Sequence, residues 1–357
     1  MRPFECSVCG QVLFFENSTC LRCGSALGFM PDERRVVALV AVADATFERA
    51  GGDATFERAD GRRDRYRHCA NLSLARCNWL IAADDDAALC RSCRLTTVRP
   101  NDTETDSIAA FADAEAAKRR LLYQLMALGL PIIDRSVDAA RGVAFELLSS
   151  RGQQVITGHD AGVITLDLSE SDDAHREFVR QQLGEAYRTV LGHLRHEIGH
   201  YYWPLLVLDA RRVDAFRALF GDERVSYDDA REQHYARGPA FDWSGAHVSQ
   251  YATMHPWEDW AETFAHYLHI DAGLDTATSF GLIVGEPARS AGRDAGSGSA
   301  DLTVGPTVQS WLGLTLALNA MERSIGQGDL YPFVLSPGVV AKLDFVHHAV
   351  QGARGVG

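Results

Sequence analysis

The amino-acid sequence predicts an α+β protein, with a small β-rich, cysteine-bearing front region followed by a larger, mainly helical domain that carries a small sheet. Three observations lead there. All eight cysteines of the 357 residues fall before residue 94. Residues 107–130 and 306–325 repeat apolar side chains at helical spacing. Residues 143–149, 154–158 and 162–168 are short runs of β-formers bounded by glycine, which suggest a small sheet. A chain this long exceeds the usual size of one domain, and the cysteine partition sets the expected limits: 1–30, 31–103 and 104–350.

Cys6 and Cys9 in CSVCG and Cys20 and Cys23 in CLRCG form two CxxC knuckles, each followed by glycine. Such a knuckle presents two thiolates to one ion, and a pair of them makes a zinc ribbon. Cys90 and Cys93 in CRSC form a third knuckle, and Cys69 and Cys77 upstream can complete a second four-thiolate site, with His68 as a substitute ligand. Cys69 or Cys77 as ordinary buried thiols is the plainer alternative. Disulfides are the other one, and the absence of an apolar leader in MRPFECSVCG argues against them and for a cytoplasmic protein.

The run VVALVAVA at 36–43 is too short to span a bilayer, so no membrane contact is expected. DATFERA occurs at 44–50 and again at 53–59, a local duplication too short for a solenoid. Residues 1–100 carry 14 Arg and 13 acids, leaving 21 basic and 35 acidic residues for 101–357. That acidic body repels a nucleic-acid backbone and confines any such contact to the front, for instance RRDRYRH at 62–68, which reads more simply as a solvated loop.

RPNDTETD at 99–106 reads as a linker that caps the next helix, 107–130, which Pro131 stops. The three β runs follow, then a helix from about residue 173 leading to another around RTVLGHLRHEIGHYYW. In that helix His196 and His200 stand one turn apart on one face and can share a zinc ion, with Glu197 beside it to take a proton from attacking water. This is the pattern of a zinc hydrolase acting on peptide bonds. The order of helix, strands and active-site helix suits a zincin-like domain in which the sheet walls a cleft. Residues 286–304 are rich in Gly, Ser and Ala and expected to be flexible.

Two histidines need a third protein ligand, and HPWEDWAETFAHYLH at 255–269 offers Glu258, Asp259 and Glu262. Pro256 marks a helix start, so Glu258 and Glu262 share a face. Glu258 is the first choice as ligand, and Glu262 the partner that accepts the free ring N–H of His196 or the ligand in its place. Tyr251 and His255 are candidates to stabilise an oxyanion, or else packing and capping residues. His193 does not become a ligand by spacing alone, and His266 and His269 read as surface or core histidines.

HEIGHYYW followed by HPWEDWAETFAHYLH, behind a CxxCG ribbon, resembles the bacterial zinc-binding metallopeptidases with an N-terminal zinc-ribbon domain. CRSCRL at 90–95 and YPFVLSPGVVAKLDFVH at 331–347 extend the likeness over nearly the whole chain. The resemblance implies a peptidase of gluzincin type, with one catalytic and two structural Zn²⁺ ions and a peptide or protein substrate. The different class, a non-catalytic zinc-binding protein that meets a partner through its ribbons, requires no carboxylate at Glu197.

Overall fold

Alternation and turn glycines lay down the front of the chain as short antiparallel strands. The computed structural model describes residues 1–42, 46–49, 64–150, 155–183, 187–282 and 305–353. β1 (Phe4–Glu5) pairs with β2 (Val12–Leu13) around the first knuckle. β3 (Ala26–Met30), β4 (Arg35–Ala41), β5 (Phe47–Arg49), β6 (Tyr66–His68) and β7 (Leu80–Ala82) follow as an antiparallel five-stranded sheet in sequence order. The apolar run at 36–43 thus supplies β4, whose Val36 to Leu39 are buried. Most of the duplicated heptapeptide, like the segment 286–304, lies outside the described residues.

A single turn, α1 (Arg91–Arg94), and β8 (Thr96–Val98) lead into α2 (Thr105–Leu128), which ends at Gly129 in the left-handed region. The second sheet has the order β10–β11–β9–β8, from β9 (Ala144–Leu148), β10 (Gly158–Asp160) and β11 (Val163–Asp167). β8 and β11 run parallel to β9 on either side, and β10 is antiparallel to β11. The strand expected at 154–158 is displaced to 158–160, because the turn at Ala161 and Gly162, both at positive φ, fixes the hairpin register from the other end.

By packing, the chain divides into Met1–Ala127 with Pro131–Arg176, and Leu128–Leu130 with Glu177–Gly357. The expected boundary near 104 falls at the entrance to α2, whereas packing places α2 and the second sheet with the cysteine-bearing region. The sheet expected to wall the cleft therefore belongs to the first unit, held there by strand pairing with β8 directly after the last knuckle.

Beyond α3 (Asp173–Leu183) the second unit is helical: α4 (Val190–Trp203), α5 (Val213–Phe220), α6 (Tyr227–Arg237), α7 (Pro256–Ser279), α8 (Gly305–Ser324) and α9 (Pro337–Ala353). Thr189 caps α4, its Oγ1 accepting from the Gly192 amide at 2.9 Å, and Pro204 turns the far end into a π-helical turn. α7 is the centre of this unit and packs against α4, α5, α8 and α9. Trp260 and Phe264 of α7 are fully buried, and Phe216, Phe220 and Phe345 form edge and stacked ring contacts around Trp260. One buried ion pair crosses the core: Lys342 of α9 donates to Asp259 and to the Ala246 carbonyl at 2.6 Å. Removing one member of such a pair costs about 3–5 kcal/mol, since the other charge is left buried.

Two further polar groups of α7, His266 buried and His269 half-buried, are held without charge. Burial holds His266 down to about 4 and His269 down to about 3. His266 hydrogen-bonds the Tyr331 hydroxyl at 2.8 Å, and His269 sits among the rings of Tyr187, Trp311 and Tyr331. Their folded values lie below the unfolded value of about 6.5, so this contribution to stability is complete above pH 6.5 and drains away as pH falls towards 4. Urea midpoints should decline over that window, and more shallowly in a His269→Leu variant. A variant profile as steep as that of the wild type would contradict this assignment.

Candidate metal centres and active site

The first knuckle pair closes on itself. Cys6 Sγ lies 3.7 Å from Cys23 Sγ and Cys9 Sγ 3.6 Å from Cys20 Sγ, with all four sulfurs within 4.8 Å of one another. A tetrahedral zinc with Zn–S of about 2.3 Å needs its sulfurs about 3.8 Å apart, whereas a disulfide holds them near 2.05 Å. The spacing therefore fits a metal and not a bond. Gly10 and Gly24 stand directly after the knuckles at φ of +72° and +74°, which explains the trailing glycine of each motif.

Cys69, Cys77, Cys90 and Cys93 form the second tetrad, with Cys77 and Cys90 3.6 Å apart and all four buried. His68 is not part of it, being packed edge-on against Phe47. The structure adds what the sequence did not show, a buried polar cluster from α2 beside the tetrad. Glu115 lies 3.8 Å from the Cys93 sulfur and accepts from Thr96 at 2.5 Å and from Lys118 at 2.6 Å, while Arg119 donates to the Ala75 carbonyl at 3.0 Å. Lys118 and Arg119 bring positive charge to a site that carries net negative charge when four thiolates hold a divalent ion. The signal for it was present in the EAAKR run of α2, but a charged helix face is ordinarily solvated.

In the second unit α4 and α7 bring the third group together. Two features set how closely they approach. A Cβ on Gly199 would stand 3.1 Å from the Cα of Ala261 and 3.3 Å from its carbonyl oxygen, so only glycine fits without displacement. The Trp260 indole N–H donates to the Gly199 carbonyl at 2.8 Å and fixes the register. In that register His196 Nε2 and His200 Nε2 are 3.2 Å apart, and Glu258 Oε2 lies 3.0 Å from the first and 3.4 Å from the second. Ligand atoms about 2.0–2.1 Å from a tetrahedral zinc are separated by about 3.3 Å.

The lone pairs are held ready as well as near. Glu258 is 3% exposed and its Oε2 has no hydrogen-bond partner. Its Oε1 instead accepts from the Tyr227 hydroxyl at 2.8 Å. The Nδ1 of His196 is 2.7 Å from Glu262 Oε1, which assigns the ring proton to Nδ1 and leaves Nε2 as an acceptor. Glu262 Oε2 in turn accepts from Ser249 at 2.6 Å, so both its oxygens are used. Burial works to raise the Glu258 carboxyl, but positive charge on the paired histidines outweighs it and holds the group well below its usual range, a role a bound cation takes over when the imidazoles are neutral ligands. Glu262 is pulled down to about 2 against the same burial by His196. Two ionised carboxylates and two facing imidazole nitrogens in a buried cluster call for a cation, and the donor set of two nitrogens and one oxygen suits zinc.

Glu197, 8% exposed, offers a carboxylate oxygen within 4.8 Å of the His196 and His200 nitrogens, and burial raises its carboxyl. Tyr251 stays at the site, its ring 5.9 Å from that of His196. His255 does not serve as expected. It caps α7, with Nδ1 accepting from the Trp257 amide at 3.1 Å and Nε2 donating to the Val225 carbonyl at 3.2 Å, so no N–H is left for a substrate oxygen. Tyr227 and Ser249 went unread in the sequence because neither lies in a motif and each reaches its glutamate only through the fold.

The fold and these sites define a zinc-binding protein of mixed helix and sheet, with a β-rich zinc-ribbon region ahead of a helical domain. The family described as "Putative zinc-binding metallo-peptidase" matches residues 107–349, and a zinc-ribbon domain matches residues 3–104. The chain belongs to that metallopeptidase family. It is 49% identical over 353 residues to uncharacterized proteins of Mycobacterium tuberculosis and Mycobacterium bovis, covering 98% of this chain and 96% of theirs. No solved structure matches. No helix among the described residues is long and apolar enough to cross a membrane.

The helix contact gives a direct test. Alanine at Gly199 gains about 1 kcal/mol of helix propensity, but forcing a methyl into this contact costs about 1–3 kcal/mol. Gly199→Ala should therefore be neutral to destabilised in urea and weaker in binding zinc at the histidine site. A variant more stable than the wild type would contradict the close approach.

Proposed function

We propose that the protein is a zinc-dependent peptidase of zincin-like, gluzincin type, with His196 Nε2, His200 Nε2 and Glu258 Oε2 holding the catalytic ion. The observation that carries this reading is the convergence of those three acceptors at 3.0–3.4 Å, with Oε2 buried and bonded to nothing else. When bound there, zinc supplies Lewis acidity, acidifying water and polarising a peptide carbonyl.

The remaining work belongs to the chain. Glu197 takes the proton of the attacking water onto its carboxylate and passes it to the leaving amine, and the burial that raises its carboxyl brings it closer to a pKa suited to both steps. Glu262 keeps the His196 proton on Nδ1. Tyr251 is the donor placed to stabilise charge on the carbonyl oxygen, a contribution worth roughly 2.7–4 kcal/mol in comparable sites.

The two cysteine tetrads take one structural zinc each, and their reduced thiols suit a cytoplasmic setting. Val8, Val12, Phe14 and Leu21 are exposed around the first tetrad, which supports the ribbon as a surface for a protein partner, whether or not the chain is catalytic.

Zinc analysis of the purified protein should return about three ions per chain, two from the tetrads and one from the histidine site. Glu197→Gln should keep all of them and lower hydrolysis of a peptide library by roughly 10²–10⁴-fold. Equal activity in the variant, or no cleavage of any library peptide by the wild type, would favour the non-catalytic reading.

In chelator titrations the first tetrad, with Cys23 exposed and Cys9 half-buried, should lose zinc before the fully buried second one. Simultaneous loss would contradict the difference in access.

A further inference from the structure

α6 stands apart from its neighbours in how little holds it. None of its residues is buried, and only Tyr227, Ala230 and His234, spaced along one face, are even half-covered. The segment is bounded by Gly221 at φ +101° and Gly238 at φ +67°, conformations that favour glycine. Apart from the Arg217–Glu223 ion pair to α5 at 2.5–2.9 Å, its tethers land on the stretch leading into α7. His234 approaches the Thr253 hydroxyl at 3.4 Å, the Val225 carbonyl accepts from His255 at 3.2 Å, and the Tyr227 hydroxyl donates to Glu258 Oε1 at 2.8 Å. An element that buries so little apolar surface opens at low cost.

The last tether ends on the carboxylate that faces the two histidines. With Oε1 occupied by Tyr227, Glu258 offers a single free oxygen, Oε2. We propose that residues 221–238 form a lid over the histidine site and that Tyr227 is its latch. The closed lid orients Glu258 with Oε2 towards the histidines, and opening frees the carboxylate to turn and offer both oxygens, so that admission of a peptide is coupled to the geometry around the ion. Tyr227 is in these terms a positioning residue that acts through Glu258. This inference rests on the metal-site reading above.

The test uses the full chain with zinc kept in the cysteine tetrads and cobalt(II) loaded at the histidine site, comparing the wild type with Tyr227→Phe. Loss of the one hydroxyl should speed amide exchange of residues 228–237 about fivefold while leaving α4 and α7 unchanged. It should weaken cobalt binding about 10- to 100-fold, and the visible cobalt absorption should fall as the carboxylate offers both oxygens and the coordination number rises. Tyr227→His, which restores a donor, should recover part of the affinity. A variant that matches the wild type in exchange, affinity and spectrum overturns the latch alone. A wild type that takes up no cobalt outside the tetrads overturns the metal-site reading, and this inference with it.

Discussion

The second unit depends on one contact, the approach of α4 to α7 across Gly199 and Ala261. Helices that close can come together only where a side chain is missing, and here the missing one lies inside the HEIGH motif itself. The indole of Trp260 then pins the two helices in register through the Gly199 carbonyl. A shift of a few tenths of an ångström would separate Glu258 from His196 and His200, because side chains on different helices inherit every displacement of the backbones beneath them. The buried rings of Trp260, Phe264, Phe216 and Phe220 and the Lys342–Asp259 pair hold α7 in place for this purpose. The pentapeptide thus does two jobs, presenting two histidines on one face and admitting the partner helix on another.

The first unit solves a different problem. Its ribbon strands are two residues long and cannot bury enough apolar surface to order themselves. Metal held by the cysteine tetrads is the proposed remedy, and the two differ: the first has Cys6 and Cys20 buried but Cys9 and Cys23 reaching the surface, the other is sealed beneath α2 by Glu115, Lys118 and Arg119. The sealed tetrad acts as part of a core, and the open one leaves its knuckle tips available for contact.

Much of this was legible in the sequence because it rests on local spacing. CxxCG knuckles, the HEIGH face and the one-turn separation of Glu258 and Glu262 are set by backbone geometry within a few residues. The long helices showed their period and their stops. What could not be read depends on distance in the fold: Tyr227 meets Glu258 across 31 residues, and Ser249 reaches Glu262 from a loop. Of the two readings left open for His255, capping is the one the fold takes, since a residue before a proline-started helix is drawn into that position. The boundary near 104 separates the two family matches, whereas the packing division falls later because β8, a strand of three residues after the last knuckle, recruits β9, β11 and β10 to the cysteine-bearing side.

In the proposed site three acceptors from two helices surround one ion. Crystals of the purified protein, measured on both sides of the zinc absorption edge, test it most directly. An anomalous peak bounded by His196 Nε2, His200 Nε2 and a single oxygen of Glu258 is expected, in addition to peaks at the two cysteine tetrads. Absence of the peak at the histidines, or a peak there ligated by Glu262 in place of Glu258, would contradict it.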